Sequence, residues 1–384
     1  MPDRIYLSVP HMSGHERTFV DEAFRSNWLS SVGPNLDGFE ADVAALLGDG
    51  VRTLATASGT AALHLVLRAV GVGPGDRVAV STLTFAGSVW PILYLGARPV
   101  FLDSETESGN LSPALVDEYL RDAARRNALP KALVVVHLYG QHADVDAIAQ
   151  SCREHGVVLV EDAAESLGAT YRGHPTGTTA DYAILSFNGN KIITTTGGGM
   201  VVTRDADALA RMRKWANQSR EPAVEYVHAE LGYNYRMSNV LAGIGRGQLC
   251  VLAERVAQRR AVFERYRTAL GRARGVTFQP EASWGTHSRW LTVMFLKPGV
   301  AAISPTTLIE RLAAENIEAR PVWRPMHTQP MFADCESVGG DVAERLYGTG
   351  VCLPSSSSLS ADEQARVVTA VANTLSLSTP RRPS

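Results

Sequence analysis

Between residues 39 and 205 the chain alternates short β-branched runs with amphipathic segments. The runs VRTLATAS, DRVAVST, ARPVFLD, LVVVHLYG, VVLVEDA, YAILSF and MVVT predict seven strands. Several are continuously apolar rather than alternating, the pattern of strands covered on both faces. FEADVAALLG sets Phe39, Val43 and Leu47 on one side of a helix, and GTAALHLVLRAV is a second early helix. A mostly parallel seven-stranded sheet flanked by helices is the simplest packing of such a series, which predicts an α/β fold.

From Ser238 to Gly271 an Arg-rich helical pattern continues without an internal proline, and the domain change is expected along it. Its basic residues read as a solvated face. Beyond it the periodicity mixes. RWLTVMFL predicts a strand, SPTTLIERLAAEN a helix opened by Ser304 and Pro305, and SADEQARVVTAVANTL a helix with a Ser360/Glu363 capping box. The expected division is therefore residues 1–250, a large domain with its N-terminal segment, and 251–384, a small α+β domain ending in a frayed STPRRPS tail.

Composition narrows the function. A length of 384 residues suits two domains, and 45% hydrophobic with 20% charged residues is ordinary for a globular chain. A formal net charge of −2 offers no general attraction for nucleic acid or an anionic membrane. Cys152, Cys250, Cys335 and Cys352 lie far apart without metal-ligand spacing, so they read as buried thiols, with no metal site and no disulfide framework. The opening MPDRIYLSVPHMSG lacks a signal-peptide core and no apolar run is long enough to span a bilayer, so a cytoplasmic location is expected.

Candidate chemistry follows the apolar runs, since ligands of parallel α/β sheets bind beyond the carboxyl ends of strands. In ASGTAALHL, Ser58, Gly59 and Thr60 could bind an anion at a helix N-terminus or simply cap the helix. In GVVLVEDAAESLGA, Glu161 and Asp162 must face opposite ways, and Asp162 is the better candidate because Glu165 can share its side. In SFNGNKIITTTGGGM, Ser186 and Lys191 sit in a loop of small residues. If that loop folds over the sheet edge, the lysine becomes a desolvated nucleophile toward a carbonyl. In LGYNYRMSNVLAG, Asn234 and Arg236 precede the long helical pattern and could hold an anion.

Taken in order, SGTAAL, STLTFAG, EDAAESLGA, SFNGNK and GYNYRMSN resemble the motifs of the DegT/StrS family of sugar aminotransferases, and the likeness covers nearly the whole chain. The resemblance implies the aspartate-aminotransferase fold, fold type I of the enzymes that use pyridoxal 5′-phosphate (PLP). It implies that Lys191 holds PLP and moves protons, and that Asp162 pairs with the ring nitrogen. Gly59, Thr60 and Ser186 would bind the phosphate, and Phe85 would lie on the ring. Asn234 would reach the cofactor of a neighbouring subunit, making a homodimer with shared active sites. Glu165 departs from the glutamine or histidine common beside the cofactor's 3′-oxygen.

The combination EDAAESLG with SFNGNKIITTTGGGM looks most similar to the bacillosamine-type branch, which aminates C-4 of UDP-4-keto-6-deoxy-N-acetylglucosamine. The resemblance then implies two half-reactions, with L-glutamate as donor and pyridoxamine 5′-phosphate between them. His11, Arg236, Arg324 and His327 are candidates for the nucleotide-sugar substrate. Rival readings are amination of another keto sugar, an aminocyclitol or an aminobenzoate precursor, a PLP-dependent sugar dehydratase, and a non-catalytic regulator. In the dehydratases a histidine looks to replace the lysine, so Lys191 argues against that one.

Overall fold

The computed structural model describes residues 3–301 and 303–377, so the STPRRPS tail lies outside the described residues. All seven apolar runs form strands: β1 (Arg52–Thr56), β2 (Arg77–Ser81), β3 (Arg98–Leu102), β4 (Ala132–Val136), β5 (Val158–Asp162), β6 (Tyr182–Ser186) and β7 (Gly199–Thr203). They make one sheet in the order β1-β7-β6-β5-β4-β2-β3, with a two-residue strand, Ser337–Val338, added in parallel beside β3. Only β7 runs against its neighbours; it pairs antiparallel with both β1 and β6.

Burial on both faces explains the unbroken apolar runs. Val78, Val80 and Val134 point into one hydrophobic cluster, beneath helix Gly59–Val70. Their sequence neighbours Ala79, Leu133 and Val135 point into another, shared with helices Pro113–Arg125 and Val145–His155. Alternate side chains thus have no polar face to occupy. Helix Pro34–Leu47 buries Phe39, Val43 and Leu47 as its spacing predicts.

A second, four-stranded sheet joins Val276–Phe278, Thr292–Leu296, Gly350–Leu353 and Arg320–Pro321 in that order. Helices Leu252–Leu270, Pro305–Ala314 and Ala361–Leu377 pack with it. Ser304 caps the second of these by accepting from Thr307 N at 3.1 Å. The Ser360/Glu363 box opens the third, with reciprocal bonds of 2.8 and 3.2 Å.

The Arg-rich pattern is not one helix. It breaks at Cys250–Val251 into Asn239–Leu249 and Leu252–Leu270, because the two halves pack on different bodies. The first lies on helix His15–Arg25, where Gly247 is needed: a Cβ there would stand 2.5 Å from the Glu16 backbone. The second contributes Val262, Tyr266 and Leu270 to the smaller body's core. Nor is its basic face wholly solvated, since Arg255 and Arg259 are buried. Chain exchange also blurs a division at residue 250. Ile5 bridges Ile317 and joins the smaller core, whereas Ser337–Val338 extends the large sheet. Of the thiols, Cys152 and Cys352 are buried as expected, Cys335 is partly covered, and Cys250 is exposed. Among the described residues no helix is long and apolar enough to cross a membrane.

One ion cluster ties the edge of the large sheet together. Glu40 accepts from Arg236 at 2.6 Å, Arg213 at 2.7 Å and the Ala55 N–H at 2.8 Å. Removing the carboxylate strands a buried guanidinium, so Glu40→Ala is expected to cost about 3 kcal/mol. Urea unfolding measures this, and a loss within roughly 0.5 kcal/mol would place the cluster with ordinary surface contacts.

Candidate active site

The turns after β1, β5 and β6 converge on a cavity of about 390 Å³. Ser58, Gly59 and Thr60 line one end. Ser58 Oγ accepts from Ala61 N at 3.0 Å and so opens helix Gly59–Val70. The capping and anion-binding readings are therefore compatible: the cap sets the helix, and the helix brings unpaired first-turn N–H groups and a positive dipole end to the cavity. Strand β7 passes unusually close, since a Cβ on Gly199 would lie 2.3 Å from Gly59 N. Ser186, at the end of β6, completes this side.

Asp162 ends β5, is 5% exposed and lines the same cavity. It accepts from Ser88 Oγ at 2.6 Å and from Ala164 N at 3.1 Å. Burial raises its pKa, and these donors together with Lys191 oppose the rise. Glu161, one residue earlier, faces the other way. It bonds His137 at 2.8 Å and the N–H groups of Gly177, Thr179 and Ala180, and so fixes the loop beneath the sheet. The alternation of strand side chains thus separates one carboxylate for structure from one for the cavity.

Lys191 enters from the loop after β6, its Nζ 3.9 Å from the centre of the Trp290 ring. Burial lowers its pKa, Glu165 and Asp162 oppose this, and Arg259 lowers it further. A larger share of unprotonated amine follows, which is the nucleophilic form. Glu165 lines the cavity but also accepts from Tyr139 N at 2.7 Å, which holds that tyrosine at a left-handed φ of 56°. Trp323 Nε1 donates to the other Glu165 oxygen at 3.3 Å. Burial raises the Glu165 pKa, with Lys191 opposing. Phe85 stands at the rim, 58% exposed, its ring 5.5 Å from that of Trp323.

The remaining candidates lie apart from this cavity. Asn234 is exposed and lines a separate depression with Arg220 and His228. Arg236 is buried on Glu40 and the Ala55 carbonyl, which satisfies its guanidinium internally; its expected place at the substrate gives way to one at the sheet edge. His11 meets Ser357 Oγ at 3.1 Å, and burial followed by Arg255 lowers its pKa. Arg324 is folded onto Thr328 and lines a neighbouring hollow. His327 bridges Thr82 and Glu344 at 2.6 and 3.0 Å.

Sequence reasoning did not single out Ser88, Trp290 or Trp323 as cavity groups. Ser88 stands three residues beyond Phe85, and its spacing on the same short turn was the available signal. Trp290 is indistinguishable from a core residue in the apolar run RWLTVMFL.

The chemistry of these donors fits PLP: an anion-binding helix end, a buried carboxylate able to accept from a protonated ring nitrogen, and an amine in the same cavity. Fold and cavity together define an aminotransferase-like PLP protein. The chain matches the DegT/DnrJ/EryC1/StrS aminotransferase family over residues 10–372, and it belongs to that family. It is 50% identical over 372 residues to EpsN of Bacillus subtilis (strain 168), named as a pyridoxal phosphate-dependent aminotransferase, covering 96% of this chain and 95% of EpsN. GDP-perosamine synthase of Caulobacter vibrioides is 39% identical over 373 residues, with 96% and 97% covered. The crystal structure of the aminotransferase TlmJ from Streptoalloteichus hindustanus superposes with a TM-score of 0.88 at 30% identity, covering 97% of this chain and 99% of TlmJ.

Asp162→Asn keeps the size of the side chain and removes its charge. PLP affinity is expected to fall at least about tenfold, ~1.4 kcal/mol, in an absorbance titration of the cofactor-free protein. Unchanged affinity would contradict the carboxylate's part in holding the ring.

Proposed function

We propose that this chain transfers the amino group of L-glutamate to the 4-keto group of a nucleotide-linked 4-keto-6-deoxy sugar, with UDP-4-keto-6-deoxy-N-acetylglucosamine as the preferred acceptor. The observation that carries the reading is the meeting of Lys191 and Asp162 in one buried cavity beside an anion-binding helix end. The likeness to GDP-perosamine synthase, named for a GDP-linked amino sugar, supports a nucleotide-sugar acceptor. The narrower likeness of EDAAESLG and SFNGNKIITTTGGGM supports the UDP sugar.

PLP supplies an electron sink and carries the amino group between donor and acceptor. Lys191 would remove a proton from the donor's α-carbon and return one on the acceptor side, a role suited to an amine whose pKa burial lowers. Asp162, held by Ser88 and Ala164, would favour a proton on the ring nitrogen. Gly59, Thr60 and Ser186 would hold the phosphate, and Phe85 would contact the ring. Trp290 and Glu165 limit the directions open to the lysine amine and exclude water from it.

The working unit in this reading is a homodimer. Val224, Tyr226 and Leu231 are exposed on the segment that leads to Asn234, an apolar surface suited to a second copy. Asn234 would then serve the partner's phosphate site. Arg324, His11 and His327 remain the proposed contacts of the nucleotide diphosphate.

L-Glutamate added to the PLP-loaded protein is expected to bleach the visible absorption, and Lys191→Ala to abolish turnover. In the second stage, kcat/KM for the UDP-linked keto sugar is expected to exceed that for a GDP-linked one by at least about tenfold, ~1.4 kcal/mol of transition-state discrimination. Bleaching without any sugar product would sink the acceptor class; equal or reversed preference would sink the UDP assignment alone.

A further inference from the structure

Arg259 is 1% exposed on helix Leu252–Leu270, and among the described residues no carboxylate pairs with it. Its partners are all neutral. Nη1 donates to Trp290 O at 2.6 Å and Ser355 O at 3.0 Å, while Nη2 donates to Ser8 Oγ at 3.1 Å and to the carbonyl of Lys191 itself at 3.4 Å. Nε has no partner. A buried cation without a counter-ion costs stability, so its retention points to work at the neighbouring site.

We propose that Arg259 is a positioning residue for Lys191: a buried, unpaired guanidinium that pins the lysine's backbone and holds a fixed positive charge behind its amine. Four segments meet at this group. Ser8, which accepts from it, donates to Asn190 O at 2.7 Å. Trp290, whose carbonyl it binds, donates from its indole to the same Asn190 carbonyl at 2.7 Å and stacks beneath the lysine ammonium. The guanidinium therefore fixes both the loop that carries Lys191 and the ring on which the side chain rests.

The charged groups facing Lys191 are Asp162 and Glu165 from the β5 end, which favour its protonated form, and Arg259, which disfavours it. The charge of Arg259 lowers the pKa of both Lys191 and His11. Burial alone brings Arg259 itself down to about 9, so it stays charged at neutral pH. The two carboxylates favour the ammonium, burial opposes them most strongly, and Arg259 adds a smaller push in the same direction as burial.

This inference rests on the reading of Lys191 as the residue that bonds PLP. The test is a pH titration of the visible absorption of the PLP-loaded protein, which reports protonation of the nitrogen at position 191. Arg259→Gln is expected to raise the midpoint by about one unit, the effect of losing one nearby charge at an intermediate dielectric. Ser8→Ala removes a hydrogen-bond partner of the guanidinium but no charge, and should leave the midpoint in place. Arg259→Met, which strands no charge, replaces the Gln variant if that one does not fold. An unchanged midpoint in the neutral variant, or an equal shift in Ser8→Ala, overturns the proposal. If Lys191→Ala titrates like the wild type, the reading of Lys191 fails instead.

Discussion

Lys191, Asp162 and Glu165 line one cavity, and burial pushes each of them toward its neutral form. The carboxylates favour the charged amine and the amine favours the charged carboxylates, while Ser88, Ala164 N–H, Tyr139 N–H and the Trp323 indole donate to the carboxylate oxygens. Were PLP bound, Asp162 would be placed to accept from its ring nitrogen, and Lys191 would supply the amine that the proposed transfer needs. The site's reactivity thus follows from desolvation shared among a few groups rather than from any single residue.

The fold exists around that balance. Parallel strands bring the β1, β5 and β6 ends to one edge, and the helix after β1 presents its positive end there. Reversal of β7 lets the glycine-rich loop that carries Lys191 return directly to the sheet, with Gly199 pressed against the Ser58–Gly59 turn. The smaller body closes the other side through Trp290 and Trp323. Two chain crossings, Ile5 into the smaller core and Ser337–Val338 onto the large sheet, tie the bodies together around the cavity.

Much of this was legible in the sequence where local pattern and burial coincide. Seven strands could be read because both of their faces are covered, and Asp162 could be preferred over Glu161 because strand side chains alternate. Direction was not legible: β7 is as buried as its neighbours and carries the same apolar composition, whichever way it runs. Ser337–Val338 is too short to leave a pattern. Arg236 read as a ligand-facing cation because its true partner, Glu40, lies 196 residues away in sequence. Arg259 read as part of a solvated helix face for the same reason, since its carbonyl partners are backbone atoms that no side-chain pattern records. The PLP chemistry itself came from the family likeness of several registered motifs, while the residues alone left capping and surface roles open.

The central claim is that the amine at position 191 bonds covalently to PLP. Borohydride reduction of the PLP-loaded protein followed by peptide mass mapping tests it most directly. The account predicts a stable pyridoxyl group on the peptide containing Lys191 and on no other lysine peptide. A tag on a different lysine, or none with PLP demonstrably bound, would contradict it.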